Sequence, residues 1–283
     1  MIDKFLKVGL YNPGSLGTNH DDFIVALVMR SPDIMAINET WIKDGEEWRA
    51  PIVPGYKLRY SPRPIHLCGG RGGGVGFYIK CGIKARVWTH PVDPQNRSVE
   101  QMWLTLTVNG KKLAIGTAYR PERTKVDTFF DAVTASINAV PNCDNVLLLG
   151  DMNINLLVHD NGNARKLHNF LNCLNLKQLV SDPTHFTENQ QTLIDLVCTD
   201  LRARNVIVEP IGKLYGHAFI TCELNIKREK IEPQRISYRP LKSILPHAFS
   251  EDLNCIRWDL CMKIDKFERT LPDGSRHHQQ GDE

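Results

Sequence analysis

Three carboxylic acids lie at or inside short apolar segments that are typical of buried β-strands. Glu39 follows the segment 33–38, Asp151 follows the segment 145–149 within a Gly-Asp-Met-Asn motif, and Asp195 lies inside the segment 192–197. A charged carboxylate is costly to bury unless it is paired or bound to a cation, and Mg²⁺ and Ca²⁺ prefer oxygen ligands. Three acids delivered by three strands therefore predict a divalent-cation site.

The elements that must position these acids alternate between strand and helix patterns. Asn109-Gly110, between two strand patterns, is a strong hairpin signal. Hairpins mixed with helices predict an α+β fold, with antiparallel or mixed sheets covered by helices on their outer faces. Strands are predicted at 4–11, 33–38, 55–60, 75–80, 99–108, 112–119, 145–151, 177–180, 192–199, 206–210 and 218–227, and helices at 21–30, 126–140, 165–174 and 246–267.

Length and composition indicate one globular domain with a C-terminal extension. The chain has 283 residues, of which 42% are hydrophobic, enough to bury a sizeable core. The net charge of +3 neither demands nor excludes a polyanionic partner. The pattern changes at Arg228, so we predict a domain at 1–227 and a linker with an amphipathic helix and tail at 228–283. That helix could dock on the domain or on a partner.

Cysteine usage and the N-terminus predict an intracellular protein. The eight cysteines form no Cys-x-x-Cys pair, which favours free thiols in a reducing compartment. The N-terminus lacks the apolar stretch of a signal peptide, and no apolar run is long enough to span a bilayer. We therefore expect no membrane association.

Seven short motifs, taken in chain order, resemble the endonuclease/exonuclease/phosphatase superfamily. They are most similar to the endonuclease domain of non-LTR retrotransposon proteins, which also contain a reverse transcriptase. The resemblance covers roughly residues 5 to 227, and 238–242 resembles the linker before a reverse transcriptase, although no polymerase follows in this chain. The motifs are Asn12, Glu39-Thr40-Trp41, Gly72-Gly73-Gly74-Val75, Tyr119-Arg120-Pro121, Gly150-Asp151-Met152-Asn153, Thr192-Leu193-Ile194-Asp195-Leu196 and His217.

The resemblance implies a four-layered α/β sandwich, in which two packed mixed β-sheets are flanked by helices. It also implies a Mg²⁺-dependent site at one end of the sheets, which Mn²⁺ could serve as well. It implies that Glu39 binds the metal and that Asn12 hydrogen-bonds beside it to hold the phosphate or the carboxylate. Asp151 is expected to orient or deprotonate the attacking water, and Asn153 to contact the phosphate. Without the resemblance, Gly-Asp-x-Asn is also typical of a turn.

Further roles follow from the same resemblance. Asp195 is expected to fix the tautomer of His217, whose protonated ring faces the scissile phosphate. Tyr119 is expected to offer its hydroxyl to a phosphate oxygen, or simply to cover the core, and Glu100 to accept from it or support it. The loop 69–74 could cradle a phosphate, but a tight strand entry is favoured because the sequence lacks P-loop form. Arg71, Arg120 and Arg123 are predicted to contact the DNA backbone, since guanidinium groups match phosphate oxygens.

One position departs from the family pattern. The family's Ser-Asp-His ending reads Tyr215-Gly216-His217 here, so the acid that lies beside the metal and the imidazole is absent. Its loss removes about one unit of negative charge, which predicts a lower metal affinity and a less strongly protonated histidine. We therefore expect an enzyme that is weakened or inactive.

The leading hypothesis is a metal-dependent endonuclease. It would cleave one strand of duplex DNA by in-line attack of water and leave a 3′-hydroxyl, as target-primed reverse transcription needs, and it would then act in the nucleus. One alternative is a catalytically inactive, retrotransposon-derived DNA-binding remnant. The other is a phosphatase of the same superfamily, because related folds change substrate through their loops.

Overall fold

The structure is a computed structural model that describes residues 5–18, 20–63, 72–89, 99–140, 142–158, 161–212, 215–228 and 246–255. The chain divides into a compact unit of Met1–Ile236 and a second unit of Ser237–Glu283. The described strands are β1 (Phe5–Tyr11), β2 (Ile34–Asn38), β3 (Tyr56–Ser61), β4 (Val75–Lys80), β5 (Ala85–Trp88), β6 (Glu100–Val108), β7 (Lys111–Tyr119), β8 (Asn145–Asp151), β9 (Lys177–Gln178), β10 (His185–Phe186), β11 (Gln191–Thr192), β12 (Asp195–Thr199), β13 (Ala203–Pro210) and β14 (Gly216–Lys227). The described helices are α1 (Asp21–Arg30), α2 (Val126–Ala139), α3 (Gly162–Cys173) and α4 (Pro246–Cys255), with a short 3₁₀ turn at Glu47–Arg49.

The strands of the first unit form two mixed sheets. Within the described residues, the first sheet has the order β11-β10-β14-β1-β2-β4-β3, with β13 also paired to β14. The second sheet has the order β5-β6-β7-β8-β12-β9. One parallel pair lies in each sheet, β1 with β2 and β7 with β8, and the other pairs are antiparallel.

The two sheets pack face to face and are covered by helices. α1 covers the outer face of the first sheet, where Phe23 stacks on Tyr11 with ring centroids 5.7 Å apart. α2 and α3 pack together beside the second sheet through Phe130 and Phe170, whose rings are parallel within 9° and 4.4 Å apart. The predicted four-layered α/β sandwich is confirmed. The core between the sheets includes Leu10, Ile34, Ala36, Phe77, Ile115, Leu148 and Leu196.

The structure differs from the sequence-based element boundaries at several places. The single strand predicted at 192–199 is two strands, because β11 pairs in the first sheet and β12 in the second, with Leu193 and Ile194 crossing between them. α3 starts three residues earlier than predicted because the Asn161 side chain caps it by accepting from the backbone N–H of Asn163. β5 and β10 were not predicted, since β5 is a short edge strand and β10 has two residues.

Three other expectations concern the tail, the cysteines and the membrane. The helix predicted at 246–267 is described as α4 only up to Cys255, and its remainder lies outside the described residues. Cys198 and Cys222 are buried free thiols within β12 and β14. No described helix is long and apolar enough to cross a membrane.

Candidate active site

Strand directions bring the predicted site residues to one edge of the sandwich. In the first sheet, parallel β1 and β2 end at the same edge, just before Asn12 and Glu39, and antiparallel β14 starts there with His217. In the second sheet, Asp151 at the end of β8 is the paired partner of Asp195 at the start of β12 and of Tyr119 at the end of β7. The site is therefore assembled from both sheets.

Glu39 is held by hydrogen-bond donors on both carboxylate oxygens. Its Oε1 accepts from Nδ2 of Asn12 at 3.0 Å, and its Oε2 accepts from the indole Nε1 of Trp41 at 3.1 Å. Each oxygen keeps a lone pair for a cation. Nδ2 of Asn12 also donates to Asp151, so Asn12 connects and orients the two carboxylates. Any direct contact of Asn12 with a metal stays a prediction.

Asp151 is almost fully buried, at 1% exposure, and is surrounded by hydrogen-bond donors. Its Oδ2 accepts from Asn12 at 2.9 Å, and its Oδ1 accepts from the backbone N–H of Asn153 at 3.0 Å. Its own backbone N–H donates to the side chain of Asn38 at 2.7 Å. Burial, followed by the neighbouring Asp195 carboxylate, raises the pKa of Asp151 to about 7. A group with this pKa can accept a proton near neutral pH.

Asp195 and His217 form the expected acid–imidazole pair. Nδ1 of His217 lies 2.8 Å from Oδ2 of Asp195, so Nδ1 carries the proton and Nε2 is the nitrogen that titrates. Burial alone would lower the pKa of His217, but the Asp195 carboxylate outweighs it and raises the pKa to about 9. The imidazole is therefore protonated at neutral pH and offers a positive charge to an anionic substrate.

The donor set at this edge fits a divalent cation. One ligand atom from each of Asp151, Asp195 and His217 lies within 4.8 Å of the others. Oδ1 of Asp195 is buried and has no hydrogen-bond partner within the described part of the chain. Such an oxygen is costly to leave unpaired, and a bound cation would satisfy it.

Tyr119 and Glu100 lie opposite each other at the same edge, but Glu100 has other partners. Its buried carboxylate accepts from Nε of Arg63 at 2.6 Å and from the backbone N–H of Gly74 at 2.5 Å. Burial raises the pKa of the Tyr119 hydroxyl, and the Glu39 and Asp151 carboxylates raise it further. Glu100 therefore supports the 72–74 segment, and the tyrosine hydroxyl faces the charges of the site.

The 72–74 segment forms a tight turn leading into β4, as favoured in the sequence analysis over a phosphate-binding loop. The backbone N–H groups of Thr40 and Trp41 donate to the carbonyls of Gly74 and Gly73. The segment thereby fixes the backbone that follows Glu39. Arg71, which precedes this segment in the sequence, lies outside the described residues. Its contact with DNA stays a prediction.

Of the other two arginines predicted to contact DNA, one is buried. Arg120 is 4% exposed, and its guanidinium donates to the backbone carbonyls of Met152, Asn153 and Thr124 at 2.6–2.7 Å. It ties together the loops after β7 and β8, so the predicted phosphate contact is wrong for this residue. Arg123 is exposed on the loop after β7, and its DNA contact stays a prediction.

Gly216 occupies the place of the missing acid and has a backbone that favours glycine. Its φ is 126°, a region that residues with a Cβ rarely adopt, although a Cβ there would meet no atom within 4 Å. The absence of the acid is therefore combined with a local conformation that an aspartate would strain.

Three residues of the site were given no role in the sequence analysis. Asn38 bonds the Asp151 backbone, Trp41 bonds Glu39, and His185 is the cross-strand partner of His217 with ring centroids 4.4 Å apart. Asn38 and Trp41 lie within two residues of Glu39 in the sequence, and this proximity is the signal that could have pointed to them. His185 could be found only from the pairing of β10 with β14.

A cleft of about 400 Å³ opens beside the imidazole and gives a substrate access to the first-sheet half of the site. Its lining includes Tyr11, Asn12, His20, Asp22, Tyr215 and His217.

Comparison with known proteins agrees with this architecture. Residues 113–215 match the family model described as endonuclease-reverse transcriptase. The endonuclease domain of TRAS1, a telomere-specific non-LTR retrotransposon, is similar at TM-score 0.61 and 13% identity, over 79% of this chain and 100% of that one. An AP endonuclease from Leishmania major gives TM-score 0.60 and 14% identity over 80% of this chain and 89% of that one. An AP endonuclease from Archaeoglobus fulgidus has a TM-score of 0.59 and 14% identity, over 78% of this chain and 100% of that one.

No curated protein matches the chain. The family match covers the segment with the Tyr119, Asp151 and Asp195 motifs, and the solved structures share the whole sandwich. The chain therefore has the fold of these endonucleases, and its residues 113–215 match the endonuclease-reverse transcriptase family model.

Proposed function

We propose that the protein is a Mg²⁺-dependent endonuclease that nicks one strand of duplex DNA and leaves a 3′-hydroxyl for target-primed reverse transcription. The observation that carries this proposal is the Asp195–His217 pair beside Asp151, at an edge where a buried Asp195 oxygen has no hydrogen-bond partner among the described residues. The similarity to a retrotransposon endonuclease domain supports DNA as the substrate. Action on chromosomal DNA would take place in the nucleus.

The cation would be held by Glu39, Asp151 and Asp195. When bound, Mg²⁺, or Mn²⁺ in its place, would neutralise phosphate charge and lower the pKa of water. Hard oxygen donors suit both ions.

The protein's own groups divide the remaining work. Asp151, whose carboxylate is held by Asn12 and by the backbone N–H of Asn153, orients the water and accepts its proton. His217 holds a positive charge against the phosphate oxygens, and the Tyr119 hydroxyl donates to one of them. Asn153 has a left-handed backbone, with φ 48°, and donates to the Arg120 carbonyl, which keeps its carboxamide at the mouth of the site for a phosphate contact.

The test is nicking of supercoiled plasmid in Mg²⁺ by the wild-type chain and by Asp195→Asn. We expect nicks that a DNA polymerase can extend, and a rate at least about 100-fold lower for the variant, because the imidazole loses its charge partner. A wild-type chain that leaves the plasmid intact in both Mg²⁺ and Mn²⁺ would refute the proposal. Phosphoinositides and an abasic oligonucleotide assayed in parallel separate a phosphatase or an abasic-site enzyme from this activity.

Gly216 favours a second candidate, an inactive DNA-binding remnant, because the acid of the family pattern is absent and its backbone disfavours an acid. This candidate predicts DNA binding without turnover. Binding measured against salt concentration should then show several phosphate contacts, and Arg123→Ala should reduce the slope by about one. Turnover by the wild-type chain would exclude it.

A further inference from the structure

The catalytic groups come from two sheets that are joined mainly by apolar packing. Glu39 follows β2 in the first sheet, and Asp151 ends β8 in the second. Apolar contacts are non-directional, so they hold the sheets together without fixing the spacing between two particular carboxylates. Directional bonds between the sheets are needed at this edge.

Asn38 makes such bonds. It is the last residue of β2, directly before Glu39, and its side chain is fully buried. Its Nδ2 donates to Oγ1 of Thr117 in β7 at 2.9 Å, and its Oδ1 accepts from the backbone N–H of Asp151 in β8 at 2.7 Å. One carboxamide in the first sheet thus grips two neighbouring strands of the second.

We propose that Asn38 is a positioning residue that sets the separation between the Glu39 and Asp151 carboxylates across the two sheets. The backbone of Asn38 is continuous with Glu39, and its side chain holds the backbone of Asp151, so the two acids cannot shift independently. Asn12 bridges their side chains from the solvent side. Asn38 holds their backbones from the core side. The inference rests on the proposed metal-dependent function, in which both acids serve one cation.

Two variants of similar shape separate positioning from general stability. Asn38→Leu removes both bonds, whereas Thr117→Val removes the bond to β7 and leaves the bond to Asp151. Both alter one fully buried hydrogen-bonded side chain. We expect Asn38→Leu to weaken Mn²⁺ binding about 10- to 100-fold, measured by electron paramagnetic resonance of the metal-titrated protein, and Thr117→Val to weaken it less than about 3-fold. In nicking assays, Asn38→Leu should raise the Mg²⁺ requirement and lower kcat while the KM for DNA stays unchanged.

The proposal is overturned if Asn38→Leu binds Mn²⁺ within about 3-fold of the wild type, or if Thr117→Val loses as much affinity. A wild-type chain that binds Mn²⁺ but does not nick DNA refutes the proposed function and leaves this test intact. If the wild type binds no Mn²⁺, amide hydrogen exchange at Asp151 decides. Faster exchange in Asn38→Leu than in Thr117→Val supports the positioning bond, and equal exchange overturns it.

Discussion

Glu39 and Trp41 both have a left-handed backbone conformation, and the Trp41 indole hydrogen-bonds the Glu39 carboxylate. Their φ angles are 51° and 54°, a conformation that costs residues with a Cβ about 1–2 kcal/mol each. The 72–74 segment holds this backbone by accepting from the N–H groups of Thr40 and Trp41. Backbone strain of this kind gathers at functional sites, where the surrounding structure maintains it. Here it turns the Trp41 indole onto Glu39.

Replacing Trp41 with phenylalanine should raise the Mg²⁺ concentration for half-maximal nicking about 10-fold, because Oε2 of Glu39 loses its donor and the carboxylate becomes free to rotate. The affinity for DNA should not change. Trp103→Phe is the matched control, since its indole also donates to a side chain, Gln101 at 2.9 Å, away from the site. Equal Mg²⁺ requirements in the two variants would contradict the role given to Trp41.

The effect of an acid at position 216 on metal binding is best measured by comparing Gly216→Asp with Gly216→Ala, because both variants carry the same backbone strain. A Cβ at φ 126° strains the backbone whatever the side chain, so both Gly216→Ala and Gly216→Asp should lower the free energy of unfolding by about 1–2 kcal/mol. The space around the Cβ is open, so a carboxylate fits there. We expect the aspartate variant to bind Mn²⁺ about 10-fold more tightly than the alanine variant. Identical affinities would show that this position does not serve the metal.

Residues that sit in contiguous motifs were predictable from the sequence, and residues whose role depends on the third dimension were not. Asp151 and Asp195 are marked by the apolar runs around them. Asn38 resembles any polar residue at a strand end until β2 is packed on β8. Arg120 resembles an exposed arginine until two loops fold over it, which is why a phosphate contact is predicted for it from the sequence alone.

The β6–β7 hairpin allows protein stability to be changed without changing the active site, because its turn lies far from that site. Asn109 and Gly110 form its turn with φ 51° and 77°, and the opposite ends of both strands carry Glu100 and Tyr119. Each strand has nine residues, so the turn lies roughly 30 Å from the site.

Gly110→Ala should therefore lower the free energy of unfolding by about 1 kcal/mol through backbone strain alone, because no atom lies within 4 Å of the added Cβ. Urea unfolding measures the loss, and the nicking rate below the transition should equal that of the wild type. A slowed rate would mean that the hairpin transmits its distortion to the site.

Hydrophobic patterns predicted most strands, because polar and apolar residues alternate along a half-buried strand and a fully buried strand is continuously apolar. The pattern could not reveal that 192–199 changes sheets, since Leu193 and Ile194 are buried at the crossing as they would be in a strand. The two-residue strand β10 is also too short to have a period. Its pairing with β14 depends on the closed fold, and with it the position of His185.

The folded sandwich buries ionisable groups whose proton uptake is linked to folding. The pKa of His217 rises from an ordinary value of 6.5 to about 9 in the folded, metal-free protein, so the folded state holds an extra proton between these values. The resulting stability is present below pH 6.5 and is lost as the pH rises through 9. Asp151, raised from 3.8 to about 7, acts in the same direction at lower pH.

We therefore expect the free energy of unfolding of the metal-free protein to fall between pH 6.5 and pH 9, by at most about 3 kcal/mol from His217, since one pKa unit corresponds to about 1.4 kcal/mol. Urea titrations at pH 6.5, 8 and 9 in the presence of a chelator measure the slope. In His217→Gln the slope between pH 8 and pH 9 should disappear, because glutamine does not titrate, whereas Asp151 still releases its extra proton as the pH passes through about 7. A slope that persists between pH 8 and pH 9 in the variant would assign the proton uptake to another group and remove the argument for a charged imidazole at neutral pH.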